Sequence, residues 1–347
     1  MNNSKLARNG NLIIGFTYNV EKKPSEGEAI DKYAEFDSPD TIEHIQSALE
    51  TSKHKVIPIE ADRNALDILV NTKLDVIFNI AEGLQNNVDR ESIFPAIFEF
   101  LGIPYVGSDP LCLAITLDKP AAKKVWLLNG IPTAGFQIIE KIEDLEDCNL
   151  SFPILVKPSH EGTSKGIFND SYVENKKALR EQVEKTLREY QQPVIIEEFI
   201  EGREFTVTVI GNKEPYEVLP PVEISFEGLP EQAKHFCSYE VKTIWDDPKS
   251  TVCPANITPE QEKKLQMTAL NAYKAVKVRD FGRVDMRLDK NDNPYVIEIN
   301  PLPGMSYSSE VNHSMIKASK VAGYEYNQYI VRLLNEGLKR TGFLKDD

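Results

Sequence analysis

The stretch RVDMRLDKNDNPYVIEINPLPG, residues 283–304, contains two alternating runs of apolar and polar residues on either side of a polar turn. The turn is rich in Asn and Asp, which favour tight connections between strands. If the strands pair symmetrically about it, Asp285 lies opposite Glu298 and Arg283 lies opposite Asn300. Side chains alternate across a strand, so each face of this hairpin carries its own set. One face carries Arg283, Asp285, Arg287, Val296, Glu298 and Asn300, and the other, a core face, carries Val284, Met286, Leu288, Tyr295, Ile297 and Ile299.

Two acids that face each other across this hairpin need a neutralising partner. Opposed residues have Cβ atoms about 5 Å apart, and carboxylates at that distance repel by roughly 3 kcal/mol at an effective dielectric constant of about 20. Asp285, Glu298 and Asn300 offer the oxygen ligands that a hard divalent cation such as Mg²⁺ or Mn²⁺ prefers. In the alternative interpretation, Arg283 and Arg287 neutralise both acids on a solvated face.

The stretch ILVKPSHEGTSKGI, residues 154–167, begins as a strand-like run that ends at Lys157 and continues as a glycine-rich segment. Gly162 and Gly166 permit a tight loop, and backbone N–H groups and hydroxyls in such a loop can bind phosphates. The spacing differs from that of a P-loop, because the loop lysine precedes the second glycine. An ordinary turn is the alternative. The hydroxyls of the loop belong to Ser159, Thr163 and Ser164.

Acidic residues interrupt a third apolar stretch, VIIEEFIEGREF at 194–205. Glu197 and Glu198 lie within the strand-like run, and Glu204 follows Gly202. Buried carboxylates require hydrogen-bond donors, which the amino group and ribose hydroxyls of a nucleotide could supply. An edge strand with exposed acids is the alternative.

The order of secondary-structure patterns predicts a chain of mixed α/β and α+β class. Short strands alternate with amphipathic helices in the first third, which predicts a parallel sheet covered by helices. Strands cluster later in the chain, which predicts antiparallel sheet. We therefore expect an N-terminal α/β domain at 1–111, a central α+β unit at 112–201 and a C-terminal α+β unit at 202–347.

The composition argues against several classes of partner. The 347 residues include 54 acids and 40 bases, giving a formal charge of −14, which disfavours nucleic acid and anionic membrane as partners. The four cysteines are scattered without a C-x-x-C pair, so a disulfide framework or zinc site is not expected. The N-terminus shows no signal-peptide pattern. We expect a soluble cytoplasmic protein.

Five segments, in order, resemble the ATP-grasp superfamily and within it the D-alanine–D-alanine ligase family. They are GIPYVGSDPL…LDK (102–119), PILVKPSHEGTSKGI (153–167), IIEEFIEGREFTV (195–207), YEVKT…CPA (239–255) and GRVDMRL…YVIEINPLPGMSYSS (282–309). The resemblance implies the ATP-grasp fold, in which two antiparallel sheets hold ATP behind an N-terminal parallel domain. It also implies two Mg²⁺ (or Mn²⁺) ions and, by analogy, a homodimer.

The resemblance assigns the nucleotide side residue by residue. Lys119 and Lys157 are similar to lysines that contact ATP phosphates. Glu197 is placed like the acceptor for the adenine amino group, Ile200 lies beside the ring, and Glu204 is the implied ribose partner. Further implied ATP contacts are Gly162, Ser164 and Glu198.

The resemblance also assigns the chemical side. Asp285, Glu298 and Asn300 are placed like the metal ligands. Arg283 and the backbone N–H of Gly304 resemble the pair that stabilises the oxyanion of a tetrahedral intermediate. The implied catalytic residues are Arg283, Gly304 and Thr163, the last replacing a serine of the phosphate-covering loop, and the implied clamp on the second substrate's carboxylate is Lys242 and Ser309.

The chain departs from the family on the substrate side. The Gly-Gly-x-Ser loop and the glutamate that binds the first substrate's ammonium are replaced by a longer loop, in which Glu35 or Asp37 could substitute. NIAEGLQNNVDRES (79–92) replaces another family segment, and a threonine follows the clamp lysine where the family has tyrosine. In the replaced segment the substrate contacts could come from Glu82, Arg90 and Glu91.

The resemblance implies an ADP-forming carboxylate–amine ligase that joins two amino acids, or an amino acid and a peptide, through an acyl phosphate. Two alternatives use the same nucleotide site: a phosphotransferase acting on a hydroxyl, and a non-catalytic nucleotide-binding module. The oxyanion pair favours the ligase over a phosphotransferase, because phosphate transfer to a hydroxyl forms no tetrahedral acyl intermediate. The metal trio and both lysines disfavour a non-catalytic module.

Overall fold

The N-terminal part of the chain forms the predicted parallel sheet. The computed structural model describes residues 11–84, 87–245, 250–307 and 313–345. The strands are β1 (Ile13–Tyr18), β2 (Lys55–Glu60), β3 (Val76–Asn79) and β4 (Tyr105–Val106), all parallel in the order β2-β1-β3-β4. The accompanying helices are α1 (Pro39–Glu50), α2 (Ala65–Asn71) and α3 (Arg90–Leu101). Helix α1 is capped by Ser38, whose side chain accepts from the Thr41 N–H, and Pro39 occupies its first turn.

Two helices, α4 (Pro110–Leu117) and α5 (Lys119–Leu128), lead into an antiparallel sheet. Its strands are β5 (Phe136–Ile139), β6 (Ile154–Pro158), β7 (Tyr172–Val173) and β8 (Val194–Glu198), in the order β5-β8-β6-β7. Helix α6 (Lys176–Tyr190) packs its apolar side against this sheet through Leu179 and Val183. The glycine-rich loop therefore follows directly after a central strand of this sheet, β6.

A second antiparallel sheet carries the hairpin. Its strands are β9 (Gly202–Ile210), β10 (Glu217–Val218), β11 (Val222–Ile224), β12 (Thr251–Val252), β13 (Phe281–Asp289) and β14 (Pro294–Asn300). The order is β12-β11-β9-β13-β14, with β10 also paired to β9. Helix α8 (Pro259–Ala275) covers the apolar face, and Trp126 of α5 joins the same core. The short helix α7 (Tyr239–Thr243) lies between β11 and β12 in the chain.

The hairpin register is confirmed for its charged half and wrong for the rest. Asp285 pairs with Glu298 as predicted, but Met286 pairs with Val296, so the ladder shifts by one residue. Ile297 is the extra residue of a β-bulge. The bulge exchanges the faces of two residues: Val296 is fully buried in the core, and Ile297 lines a cavity on the charged side.

The C-terminal helices pack on the N-terminal sheet, which the sequence did not predict. Helix α9 (Ser314–Val321) leads to α10 (Tyr326–Arg340). Leu333 and Leu334 of α10 share a core with Phe16 of β1 and Leu49 of α1. The last segment of the chain therefore joins the first sheet to the sheet that carries the hairpin.

Asp280, just before β13, joins three parts of the fold. It is fully buried, and its carboxylate accepts from the Gly107 N–H (2.8 Å), from Asn212 Nδ2 (2.9 Å) and from Arg340 (2.7 and 2.8 Å). Gly107 follows β4, and Arg340 ends α10. This carboxylate therefore fixes the start of the strand that carries Arg283 and Asp285.

We predict that Arg340→Met lowers the free energy of unfolding by about 3 kcal/mol, because it leaves the buried Asp280 carboxylate without its cation. Urea denaturation checks the value. The matched control is Arg188→Met, whose side chain is 71% exposed, and which should change stability by less than about 0.5 kcal/mol. Equal stability of the two variants would contradict the anchoring role.

Candidate active site

A cavity of about 390 Å³ opens against both antiparallel sheets and the N-terminal loop. It brings together most of the residues that the sequence singled out. Its lining includes Glu82, Lys157, Thr163, Ser164, Glu197, Glu198, Ile200, Glu204, Lys242, Arg283, Asp285, Glu298, Asn300 and Gly304. Lys119, Gly162 and Arg90 lie behind this lining and contact it, whereas Ser309 falls outside the described residues.

The hairpin acids lie inside this cavity rather than on a solvated face. Asp285 accepts two hydrogen bonds from Arg283, at 2.8 and 2.7 Å. Glu298 lies 3.5 Å from the Lys119 ammonium. Burial raises the pKa of Asp285, and the charge of Glu298 adds to the effect. Burial also opposes ionisation of Glu298, but the ammonium groups of Lys119 and Lys157 hold its pKa below the usual value.

Both interpretations of the hairpin describe part of what the structure contains. Arg283 does neutralise Asp285, but Arg287 binds Glu204 (2.7 Å) instead of Glu298. The donor set also fits a hard cation, since two carboxylates and the Asn300 amide are oxygen ligands on one cavity wall. No third acid, histidine or cysteine completes a metal cluster within the described residues. A cation here would draw its remaining ligands from a bound phosphate or water.

Glu197 lies between two lysines at the other end of the cavity. Its side chain is almost fully buried, with Lys157 Nζ 2.8 Å from Oε2 and Lys123 Nζ 3.3 Å from Oε1. Burial opposes ionisation, yet the two ammonium groups lower the pKa of Glu197 to about 2. Sequence reasoning missed Lys123. Its position on the buried side of α5, with Ala122 and Trp126, was the available signal.

The remaining acids of this end are also engaged. Glu198 accepts from the Ser151 N–H (2.8 Å). Arg287 binds Glu204 and also donates to the carbonyls of Ile200 (2.6 Å) and Gly202 (2.7 Å). Burial raises the pKa of Glu204, and Arg287 opposes that rise. Arg287 therefore fixes the segment between β8 and β9 that carries the predicted adenine and ribose contacts.

The glycine-rich loop is folded over the same cavity. Thr163, Ser164 and Gly166 all have positive φ angles, 50°, 56° and 74°. Ser164 donates to the Cys237 carbonyl (2.8 Å), and the Lys119 ammonium donates to the Glu161 carbonyl. Left-handed conformations at two non-glycine residues are uncommon and point backbone N–H groups in an unusual direction.

The divergent N-terminal loop contacts this glycine-rich loop directly. The Glu35 carboxylate pairs with Arg90 and also accepts from the Gly162 N–H (2.7 Å). Arg90 donates to the His160 carbonyl (2.9 Å) as well. Asp31 accepts from the Gly166 N–H at 2.8 Å. Two carboxylates of the N-terminal loop thus hold the backbone of the glycine-rich loop.

Two further acids, Asp37 and Glu82, line the cavity, and Glu91 lies beside Glu82. Burial, with the charge of Glu21, raises the pKa of Asp37 to about 7. Burial and the neighbouring carboxylate of Glu91 raise the pKa of Glu82 well above its usual value. Burial also raises the pKa of Glu91 to about 7. Glu35 is already paired with Arg90, so within the described lining of this part of the cavity Asp37, Glu82 and the exposed Glu21 remain to receive a cationic group.

The predicted second-substrate end contains a half-buried lysine, Lys242, beside the hairpin. Burial and the charge of Arg283 lower the pKa of Lys242. Gly304 contacts His313 so closely that a Cβ on it would lie 2.6 Å from the imidazole, so the ring would have to move. Burial lowers the pKa of His313 to about 4, and Lys242 and Arg283 add to the effect. His313 lines the cavity and was not selected from the sequence.

Comparison with known proteins agrees with this geometry. The family model "D-ala D-ala ligase C-terminus" matches residues 125–335. Protein y4sG of Sinorhizobium fredii is 34% identical over 305 residues, covering 85% of this chain and 87% of its own. A D-alanine–D-alanine ligase of Acinetobacter baumannii is 33% identical over 251 residues, covering 71% of this chain and 75% of its own.

Solved structures of similar shape cover nearly the whole chain. The ATP complex of D-alanine–D-alanine ligase from Bacillus anthracis aligns with a TM-score of 0.72 and 26% identity, over 95% of this chain and 98% of that one. The VanG D-Ala:D-Ser ligase from Enterococcus faecalis shares the fold, with a TM-score of 0.73 and 24% identity over 94% and 100% of the two chains. The predicted ATP-grasp fold is confirmed.

We predict a pH-dependent stabilisation by Asp37→Asn. The pKa of Asp37 is about 7 in the folded chain and 3.8 ordinarily. Between these values the folded state holds a proton that the unfolded state has lost, so the free energy of unfolding falls as the pH rises. Asp37→Asn has no titrating group at this position and therefore does not lose this stability. Its urea midpoint should exceed that of the wild type at pH 8, and the difference should shrink towards pH 4.5.

The control for this prediction is Glu43→Gln, an exposed acid on α1, which should show no such pH-dependent difference. A constant difference between Asp37→Asn and wild type across the pH range would contradict the raised pKa.

Proposed function

The chain belongs to the D-alanine–D-alanine ligase family, and we propose that it joins two amino acids, or an amino acid and a peptide, through an acyl phosphate. It is an ATP-dependent, ADP-forming ligase of the ATP-grasp type. The family assignment disfavours the phosphotransferase and the non-catalytic module. The proposal concerns the substrates and the residue roles.

One observation carries the proposal: a single cavity places nucleotide-type and acyl-transfer-type groups at successive positions. Glu197 and Lys157 lie at one end, and Arg283 and Gly304 line the wall beyond the hairpin acids. The glycine-rich loop lies against the same cavity through Thr163. Such an order suits a reaction in which a phosphoryl group is transferred and an acyl group is then attacked.

We propose the following roles on the nucleotide side. Glu197 accepts a hydrogen bond from the adenine amino group, Ile200 and Glu198 lie beside the base, and Glu204 receives the ribose hydroxyls. Lys119 and Lys157 donate to the phosphates, and Gly162, Thr163 and Ser164 cover them. Lys119 is suited to this role because it is buried and its hydrogen bond to the Glu161 carbonyl leaves two N–H donors.

We propose that the hairpin holds two Mg²⁺ or Mn²⁺ ions, with Asp285, Glu298 and Asn300 as ligands. Bound ions would neutralise phosphate charge during transfer. The protein's own contribution is the spacing: β13 and β14 pair Asp285 with Glu298 and place Asn300 two residues further along the same strand. The bulge at Ile297 does not disturb this half of the ladder.

The acyl-transfer chemistry needs stabilisation of an oxyanion. The first substrate's carboxylate oxygen attacks the γ-phosphorus, and the bond to the bridging oxygen of ADP breaks. The neutral amine then attacks the acyl carbon, and phosphate leaves the tetrahedral intermediate with the proton that the amine nitrogen loses. We propose that Arg283 and the Gly304 N–H stabilise its oxyanion, an effect worth about 3 kcal/mol per donor in comparable sites.

The substrate ends follow from charge. Asp37 and Glu82 would receive the first substrate's ammonium, with Arg90 holding Glu35 and the loop in place. Lys242 would bind the second substrate's carboxylate, together with Ser309. A half-buried ammonium in the cavity lining favours an amine substrate that carries a carboxylate.

We further propose a cytoplasmic homodimer. Within the described residues no helix is both long and apolar enough to cross a membrane. Phe100 of α3 is 89% exposed, which suits a contact through the N-terminal segment. The three segments 1–111, 112–201 and 202–347 remain our proposed domain division.

A phosphate-release screen of amino acid pairs tests the ligase proposal. Both D and L enantiomers are included, as is D-alanine alone, and mass spectrometry identifies the condensed product. We expect one class of pair to release ADP and phosphate in a 1:1 ratio with a new amide. Phosphate release without any amide product would contradict ligation.

We predict that Glu298→Gln lowers substrate-dependent ADP release by at least about a hundredfold, because an amide is a poorer ligand for a hard cation than a carboxylate. A coupled ADP assay at saturating Mg²⁺ measures it. The control is Glu181→Gln, whose side chain is 66% exposed. Near-normal turnover of Glu298→Gln would remove it from the ligand set.

We predict that Lys242→Ala raises KM for the amine substrate by roughly tenfold or more and leaves KM for ATP within about threefold, since only the amine loses its cation. Steady-state kinetics with each substrate varied in turn measure both values. Lys177→Ala, with a side chain 86% exposed, is the control. A larger effect on KM for ATP would place Lys242 at the nucleotide instead.

A further inference from the structure

Lys123 is a fully buried lysine to which the proposed mechanism gives no role. Its ammonium donates to Thr133 Oγ1 at 2.7 Å, and Thr133 in turn donates to the Val296 carbonyl at 2.7 Å. The same ammonium lies 3.3 Å from Glu197 Oε1. Lysines are almost never fully buried unless they are paired, so the partners of Lys123 indicate its role.

The positive charge of Lys123 stabilises the Glu197 carboxylate, yet one carboxylate oxygen has no hydrogen-bond donor. Its Oε2 binds Lys157 at 2.8 Å, whereas Oε1 is buried and has no hydrogen-bond partner. The directed hydrogen bond of Lys123 goes to Thr133, so its contribution at Oε1 is electrostatic. Glu197 lines the cavity, and an ionised oxygen without a hydrogen-bond donor there can accept from the N–H of a ligand.

The two lysines are not equivalent once a phosphate is present. Lys157 is the proposed phosphate contact, and a triphosphate would compete with Glu197 for its ammonium. Lys123 donates to Thr133, which is itself hydrogen-bonded to β14, so its ammonium is held at Glu197. Within the described ion pairs of Glu197, Lys123 is then the remaining cation. Without it, a buried carboxylate would favour the protonated form.

We infer that Lys123 is a positioning residue that holds Glu197 as a carboxylate, so that the site selects a nucleobase with an exocyclic amino donor over one with an oxo acceptor. This inference rests on the proposed function, because it takes Glu197 to face the base. An adenine-type base donates at this position, whereas a guanine-type base presents an acceptor that a carboxylate repels.

The charge on Lys123 is itself sensitive to pH. The charged groups facing it are Glu197, Lys157 and Lys119, and the Phe136 ring lies 5.7 Å from its ammonium. Burial, with the repulsion of the other two lysines, lowers the pKa of Lys123 to about 8, although Glu197 opposes this. Raising the pH through 8 therefore removes the charge and should weaken ATP binding. Arginine stays charged over that range.

The test measures dissociation constants for ATP and GTP by calorimetry, with Mg²⁺ present and amino acids absent, from pH 6.5 to 9.5. Lys123→Met should lower the ATP-over-GTP preference at least tenfold at pH 7. Lys123→Arg should keep the preference and lose the weakening above pH 8. Lys124→Met, an exposed neighbour, should behave as the wild type.

Each outcome decides the inference. Unchanged preference in Lys123→Met, or equal weakening above pH 8 in wild type and Lys123→Arg, would overturn it and leave the ligase proposal standing. The wild-type profile is a test without any variant, since ATP affinity that is flat between pH 7 and 9 also overturns the inference. Failure of the wild type to bind ATP would overturn the proposed function and this inference together.

Discussion

The structure depends on burying acids and bases together around one cavity. Glu197, Asp285 and Glu298 would each be costly to bury alone, and each lies beside a lysine or arginine. Such pairs contribute little net stability, because desolvation offsets most of the attraction. The pairs instead hold charged groups in fixed positions at the cavity, where a charged ligand can replace one partner of a pair.

This arrangement requires a rigid backbone, and the second antiparallel sheet supplies it. The apolar face of the hairpin packs on α8 through Val284, Met286 and Ile299, so the opposite face must point into the cavity. Asp280 then ties the start of β13 to α10 and to the end of β4. A ligand group on the hairpin therefore moves only with the whole sheet, which suits a site that must hold phosphates to within a fraction of an ångström.

The sequence predicted the parts of the site that follow from local periodicity. Alternation in the hairpin placed Asp285 opposite Glu298, and the strand–helix pattern predicted the parallel sheet. Alternation could not predict the bulge at Ile297, because a single extra residue leaves no mark on composition. Lys123 was missed for a different reason: a lysine in a charged helix is usually solvated, and only its tertiary contact with Glu197 explains its burial. The packing of α10 on α1 was also beyond local patterns, since it joins residues about 300 positions apart in sequence.

The divergent N-terminal loop shows how substrate and nucleotide regions can change together. Glu35 pairs with Arg90 and also binds the Gly162 N–H, while Asp31 binds the Gly166 N–H. The loop that we propose for the first-substrate end thus also holds the backbone of the glycine-rich loop, the proposed phosphate cover. A change of sequence in this loop cannot alter the first-substrate end without also altering the support of the glycine-rich loop. Arg90, in the replaced segment at 79–92, neutralises Glu35, in the longer N-terminal loop. These two departures from the family pattern therefore depend on each other.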